Sequence, residues 1–343
     1  MSELDNLQVS VALCTYNGEK YICDQLNSII NQTRKVDEII LSDDNSTDNT
    51  LGLAESILTE SGIAFTIIKN KSSVGVTLNF KMAIDRCIGD IIVLSDQDDV
   101  WEKNKIEELL IAFQDEEVIM AFSDASAIDK NGKTIIESWH KRIGFMQSAW
   151  TEKNWIDAML RKGHCPNGCL MAFRRKLYLS APDIWSGEYM YHDRWLCYSA
   201  GLFGEYYYND KPLIRYRIHE QSITQGSNGQ ASWYRFTSDI DDFDKYFEIN
   251  VFRQNRVEIL RKVSQLSNIK NKKYLSEYKK CIRMYDRLVK IKNEDNKILN
   301  ILILFRSLID GSFYYRNTNR NQMNPIGRQL RILISDIIYL LRR

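Results

Sequence analysis

No apolar run in this chain of 343 residues approaches the roughly 18 needed to cross a bilayer. The longest, Ile298 to Leu308 and Ile332 to Leu341, are interrupted by Arg306 and Asp336. The opening MSELDNLQVS lacks a basic start followed by an apolar core, so no secretory signal is read and a cytoplasmic location is expected. The seven cysteines are scattered and odd in number, which fits reduced cytosolic thiols rather than a disulfide framework. His164, Cys165 and Cys169 lie close together but lack a second pair at zinc spacing, so no zinc site is read there. Proline is scarce, with four, and the 44% apolar and 27% charged residues describe ordinary globular material, neither disordered nor fibrous. No internal repeat is detectable.

A net charge of +1 conceals an asymmetry. Residues 1–230 carry 23 Lys+Arg against 33 Asp+Glu, a balance of −10, and residues 231–343 carry 23 against 12, a balance of +11. An acidic region can hold metal ions, and a basic one can meet anions or a membrane surface. The first third alternates β-rich runs with helical patterns. Val9 to Cys14, Val36 to Ser42, Ala64 to Lys69 and Asp90 to Ser95 read as strands. Glu19 to Asn31, Thr47 to Glu60 and Val76 to Cys87 read as the helices between them. Such alternation implies a mostly parallel twisted sheet with helices on both faces, and ligands then bind beyond the carboxyl ends of the strands. Glu102 to Glu116 reads as a further helix and Val118 to Phe122 as a strand, with a tight turn at Asp129 to Gly132. A less regular stretch with Trp139, Trp150 and Trp155 follows. Beyond it, Cys169 to Phe173 reads as a strand, Tyr191 to Ala200 as a helix, and Glu205 to His219 as strand segments divided by Pro212. Residues 225–230 form the clearest linker, which divides a domain of residues 1–225 from a basic helical region of residues 231–343.

The unusual residues fall at the strand ends. After the first strand, Thr15 and Asn17 can offer hydrogen bonds to a nucleoside, although a structural turn explains them equally well. After the second, Ser46 to Asp48 read as helix capping, which leaves Asp43 and Asp44 unexplained. Two adjacent carboxylates at a strand end need a nearby donor or charge, such as a pyrimidine N3–H or a ribose hydroxyl. The third element, Leu94-Ser95-Asp96-Gln97-Asp98-Asp99-Val100-Trp101, places three carboxylates in four residues after a buried-type strand. Their mutual repulsion calls for a cation, and hard ions such as Mg²⁺ or Mn²⁺ take oxygen ligands together with substrate phosphates. Capping a helix would need one of them.

These three segments, in this order, resemble those of a family 2 glycosyltransferase of GT-A fold, and Ser-Asp-Gln-Asp-Asp-Val-Trp is similar to rhamnosyltransferase-like members. The resemblance covers roughly residues 8 to 225. It implies an α/β, Rossmann-like, mixed and mostly parallel sheet, with the C-terminal helical region added. Thr15, Asn17, Asp43 and Asp44 would then hold the base and ribose, Asp96 the ribose or sugar, and Asp98 a Mn²⁺ or Mg²⁺ on the diphosphate. Arg217-Ile218-His219 resembles a site where His219 completes the metal shell and Arg217 faces phosphate. Asn167 and Gly168 resemble an acceptor-lining segment, with Asp99, Trp101 and Trp195 placed on the same side. His192-Asp193 resembles the segment of the catalytic base. Many members carry Glu-Asp there, so the departure touches the first position and leaves Asp193 intact. From the residues alone, Asp193 reads equally as a carboxylate at a helix start, and Trp101 and Trp195 as packing or sugar-stacking side chains.

The expected reaction is a single displacement with inversion. Sugar passes from a dTDP- or UDP-sugar, rhamnose or another hexose, to a hydroxyl of a glycan or lipid-linked saccharide in cell-surface polysaccharide assembly. No nucleic-acid partner is expected. Leu330, Leu333, Ile334, Ile337, Ile338 and Leu341 recur at helical spacing among arginines. They predict either peripheral contact with the anionic cytoplasmic face of the plasma membrane or packing on the catalytic domain or a second subunit. Two other readings stay open: a nucleotidyltransferase, although the loop after the first strand is not Gly- and Lys-rich, and a non-catalytic sugar-binding module.

Overall fold

Every residue of Val9–Thr15 and of Ile91–Ser95 is buried, the pattern of parallel strands covered on both faces. In the computed structural model, which describes residues 6–145, 150, 155–162, 165–181, 191–219, 251–293 and 296–309, these runs are neighbours at the centre of one sheet. The order begins β1 (Val9–Thr15), α1 (Ile22–Ile30), β2 (Glu38–Asp43), α2 (Thr50–Ser61), β3 (Ala64–Lys69), α3 (Val76–Arg86) and β4 (Ile91–Ser95). Helix α1 buries Ile22, Gln25, Leu26 and Ile29, one face at helical spacing. Helix α2 stops at Gly62, whose φ of 70° is left-handed. The chain continues through β5 (Val100–Trp101), α4 (Lys105–Leu110), β6 (Val118–Ile128), β7 (Thr134–Ile136), α5 (Trp139–Arg142), β8 (Met171–Arg174), α6 (Arg175–Ser180), α7 (His192–Phe203) and β9 (Glu205–Arg217).

The nine strands form one mixed sheet in the order β3-β2-β1-β4-β8-β6-β9-β5, with β7 paired to β6. β1, β2, β3 and β4 pair in parallel, as do β6 and β9, while β8 runs antiparallel between β4 and β6. This is the GT-A arrangement. Register sets Thr15 beside Asp43 and Leu13 beside Ser95, so the loops after β1, β2 and β4 leave one edge together.

Three expectations change in detail. The helix read from Glu102 begins at Lys105, because Val100 and Trp101 pair with Arg215 and Ile214 of β9 and the Glu102 N–H is bonded to the Leu213 carbonyl. The strand read over Val118 to Phe122 runs on to Ile128, held along its length by β9. Pro212 does not divide β9: the register shifts between Asn209 and Pro212, so a bulge absorbs the missing N–H.

The irregular stretch is a buried aromatic cluster. Trp139, Trp150 and Trp155 are all covered, with Trp150 edge-on to Phe122 and Tyr206. Helices α8 (Val251–Val263), α9 (Lys272–Asn293) and α10 (Lys297–Ile309) follow. Tyr278 of α9 donates to the Tyr198 carbonyl of α7 at 2.8 Å, and Tyr274 packs edge-on against Trp155 at 4.2 Å between centroids. The described helices of the basic region therefore pack against α7 and the aromatic cluster. The linker at 225–230 and the arginine-rich segment 311–343 lie outside the described residues. Among the described residues no helix is long and apolar enough to cross a membrane.

Candidate active site

The loops after β1 and β2 are stitched together. Asn17, at φ 48°, accepts from the Thr47 N–H through Oδ1 at 2.8 Å, and its own N–H donates to Ser46 Oγ. Thr15 Oγ1 donates to Asp43 Oδ2 at 2.7 Å, while the Ser46 N–H fills Asp43 Oδ1. Asp44 accepts four bonds, from Asn70 Nδ2, Ser73 Oγ and the N–H groups of Val74 and Gly75. Burial pushes its carboxyl up, but those donors outweigh burial and leave it below the ordinary carboxylate value. Both aspartates are thus turned into the fold, bracing the loops after β1 and β2, and their side chains are buried, at 0% and 5% exposure. Of the residues read as nucleoside contacts, only Asn17 is exposed.

Asp96 and Asp98 are half-buried on the loop after β4. Asp98 Oδ2 and His219 Nε2 stand 2.8 Å apart. That is hydrogen-bond distance, and it makes neighbours of the oxygen and nitrogen that the family resemblance puts on one cation. Arg217, which the resemblance turns toward phosphate, has its guanidinium engaged within the protein. It is 3% exposed, its Nε donates to the Asp98 carbonyl at 2.8 Å, one terminal nitrogen reaches Asp24 at 3.1 Å, and its plane covers the Tyr21 ring. A guanidinium spent on these groups is a clamp on the acidic loop.

Asp99, read as an acceptor-side residue, faces the core. It is fully buried, with Oδ1 accepting from the Arg217 N–H at 3.0 Å, so it does not line an acceptor surface. Its Oδ2 has no hydrogen-bond partner among the described residues, and it groups with Asp96 and Cys169, whose donor atoms lie within 4.8 Å of one another. Burial, then Asp98 and Asp193, push the Asp96 carboxyl up to about 7. Behind this group stands Lys105, which sequence reasoning missed. It is fully buried, donates to the Cys169 carbonyl at 2.9 Å and lies 3.9 Å from the Trp101 ring centroid. Burial lowers its ammonium to about 7 against the pull of Cys169, Asp99 and Asp96. A lysine inside an ordinary amphipathic pattern carries no signal of this. Gln97 was missed as well: its amide both accepts from and donates to the Tyr16 backbone, tying the acidic loop to the first.

Asp193 occupies the first turn of α7 and is near enough to Asp96 to raise its pKa. Gly168 touches the same spot, since a Cβ there would meet the Asp193 Cβ at 3.6 Å and His192 Nε2 at 2.7 Å. Asn167 is 9% exposed beside it. Trp101 and Trp195, at 3% and 1%, are packing residues and have no face free to stack on a sugar.

A mixed, mostly parallel sheet in this order, with the acidic loop leaving β4, is a GT-A fold. The fold is shared with S. aureus TarS 1-349, solved in complex with UDP-GlcNAc: TM-score 0.53, 16% identity, 97% of this chain and 81% of that one covered. Against the longer TarS chain, 43% of its length is covered, with a TM-score of 0.52. Residues 10–179 match Glycosyl transferase family 2, and through them the chain belongs to that family. It is 29% identical over 229 residues to an uncharacterized glycosyltransferase of Haemophilus influenzae, covering 65% of this chain and 69% of that one. It is also 28% identical over 227 residues to the dTDP-rhamnosyl transferase RfbG of Shigella flexneri, covering 61% and 72%.

Proposed function

We propose that this protein is an inverting, metal-dependent hexosyltransferase. It moves rhamnose or another hexose from a dTDP- or UDP-sugar to a hydroxyl of a glycan or lipid-linked saccharide in cell-surface polysaccharide synthesis. The observation that carries this reading is the convergence of the acidic loop after β4 with His219, 2.8 Å from Asp98, and with Asp193, close enough to Asp96 for its charge to be felt there. The similarity to a dTDP-rhamnosyl transferase supports the choice of donor.

In this mechanism the acceptor oxygen attacks the anomeric carbon as the bond from that carbon to the diphosphate oxygen breaks. The hydroxyl proton passes to Asp193 and the nucleoside diphosphate leaves. Positioned general bases contribute about 10²–10⁴ in rate. Asp98 and His219 would hold Mn²⁺ or Mg²⁺, which when bound offsets the charge on the departing diphosphate. Arg217 fixes the Asp98 backbone, and Lys105 balances the acids from behind.

We place the protein in the cytoplasm, with segment 311–343 meeting the anionic inner face of the plasma membrane near a lipid-linked acceptor. Packing on the catalytic domain or on a second subunit is the rival use of that segment, and vesicle flotation of the full chain against one ending near Gly311 separates membrane contact from either. The test of the main reading is nucleoside-diphosphate release from a panel of UDP- and dTDP-sugars with Mn²⁺. Release that depends on the metal and disappears in Asp98→Asn is expected. Silence across the panel, or a fully active Asp98→Asn, overturns it.

A further inference from the structure

β1 and β4 pair as far as Leu13 and Ser95, and beyond that register the chain parts into the loops that carry Asn17 and Asp98. A single side chain between Asp96 and Asp98 ties those loops together. Gln97 Oε1 accepts from the Tyr16 N–H at 2.8 Å, and Gln97 Nε2 donates to the Tyr16 carbonyl at 2.9 Å. Both lengths are those of well-formed hydrogen bonds. The amide therefore stands in for one residue of a strand pair where the strands themselves have ended. A carboxylate in its place would only accept and an ammonium would only donate, so neither makes both bonds. The amide is seated on Gly18, where a Cβ would overlap Gln97 Oε1 and come within 2.5 Å of Cδ. The Gly18 φ is not positive, so this side chain, and not the backbone, leaves no room for a methyl. Asn17, next to Tyr16, is bonded in turn to Ser46 and Thr47, so the tie reaches the loop after β2 as well.

We infer that Gln97 is a positioning residue for the donor. Through the Tyr16 backbone it sets the spacing between the loop that meets the nucleoside and the loop that holds the cation on the diphosphate. This rests on the reading of Asn17 as a nucleoside contact and of Asp98 as a metal ligand. A nucleoside diphosphate has a fixed span between base and phosphates. Loops held at that span bind both ends at once, and the cation then strengthens nucleotide binding without first having to order the loops.

The test uses the full chain as wild type, Gln97→Ala, Gly18→Ala and the double variant. Binding of UDP or dTDP is measured by calorimetry with and without Mn²⁺, donor KM and kcat are measured with the active sugar nucleotide, and melting temperature reports folding. In wild type, Mn²⁺ is expected to strengthen nucleoside-diphosphate binding. Gln97→Ala is expected to shrink that strengthening, and to raise donor KM, by roughly 5- to 30-fold, the range for one to two neutral hydrogen bonds, with kcat largely kept. Gly18→Ala, which displaces the amide without removing it, is expected to act in the same direction and to add little in the double variant. A role in folding alone would lower the melting temperature and leave the effect of Mn²⁺ on nucleotide binding intact. Should Gln97→Ala fail to fold, Gln97→Met, of similar length but without either bond, takes its place. Wild-type strengthening by Mn²⁺ in a folded Gln97 variant overturns this inference and leaves the metal site standing. No strengthening by Mn²⁺ in wild type overturns the reading beneath it.

Discussion

His219 Nε2 and Asp98 Oδ2 lie 2.8 Å apart although 121 residues separate them in sequence. One stands just beyond the end of β9 and the other on the loop after β4, so the sheet brings together an oxygen and a nitrogen that are far apart in sequence. If the two share a divalent ion, His219→Ala should raise the Mn²⁺ concentration for half-maximal turnover by about 10- to 100-fold, the scale on which metal sites respond to lost support. Calorimetric titration of Mn²⁺ in the presence of a nucleoside diphosphate should show the same weakening without any turnover. An unchanged titration in His219→Ala would remove it from the metal shell.

Arg217 carries a different expectation. Its guanidinium holds the Asp98 carbonyl, Asp24 and the Tyr21 face at 3% exposure. Replacing a buried multidentate group with Lys leaves the Asp98 carbonyl short of its donor. Arg217→Lys should therefore unfold at lower denaturant with no ligand present, by about 2–4 kcal/mol. A variant with native stability and only a raised donor KM would return Arg217 to the phosphate-facing role read from sequence.

The parts of the candidate site legible in sequence were those whose position depends on local pattern. Asp96 and Asp98 follow a buried strand within three residues, and no helix cap needs that many carboxylates. Asp193 sits where a helix begins. Long-range pairing hid the rest. Whether Asp99 faces a ligand or the core depends on the Arg217 N–H, 118 residues away. Asp44 reads as an available carboxylate until the 70–75 loop folds onto it. Lys105 is an unremarkable lysine until Trp101 and the Cys169 carbonyl enclose it. The fold followed the same rule. Continuous apolar runs announced the central parallel strands, whereas β5 is too short for periodicity to reveal and exists through its pairing with β9.

Gly168 gives a prediction about packing alone. An added methyl would meet His192 Nε2 at 2.7 Å, and that ring is pinned on its other side by Phe80. Overpacking of a filled site costs typically about 1–3 kcal/mol. Gly168→Ala should lose about that much in urea denaturation, and most of the loss should vanish when His192→Ala is introduced alongside it. Additive costs in the double variant would show that the two residues do not touch.

Two buried histidines set an acid limb for stability. Burial lowers His192 and His140 from 6.5 to about 4, against the opposing pull of Asp193 and Asp124. Each ring is neutral in the native protein and takes a proton more readily once unfolded, so the unfolded chain binds more protons between those values. Their contribution is therefore present above pH 6.5 and is lost as pH falls through about 4. Wild-type stability should decline across this window. His192→Phe should decline less steeply, because one of the two sites is gone and the carboxylates common to both proteins cancel in the comparison. Each pH unit by which the folded ring titrates below the unfolded one is worth about 1.4 kcal/mol, so the difference between the two curves should change by on the order of 2–3 kcal/mol from pH 7 to pH 4. Urea denaturation at half-unit steps of pH measures it, and parallel curves would mean that the His192 ring reaches water in the folded state.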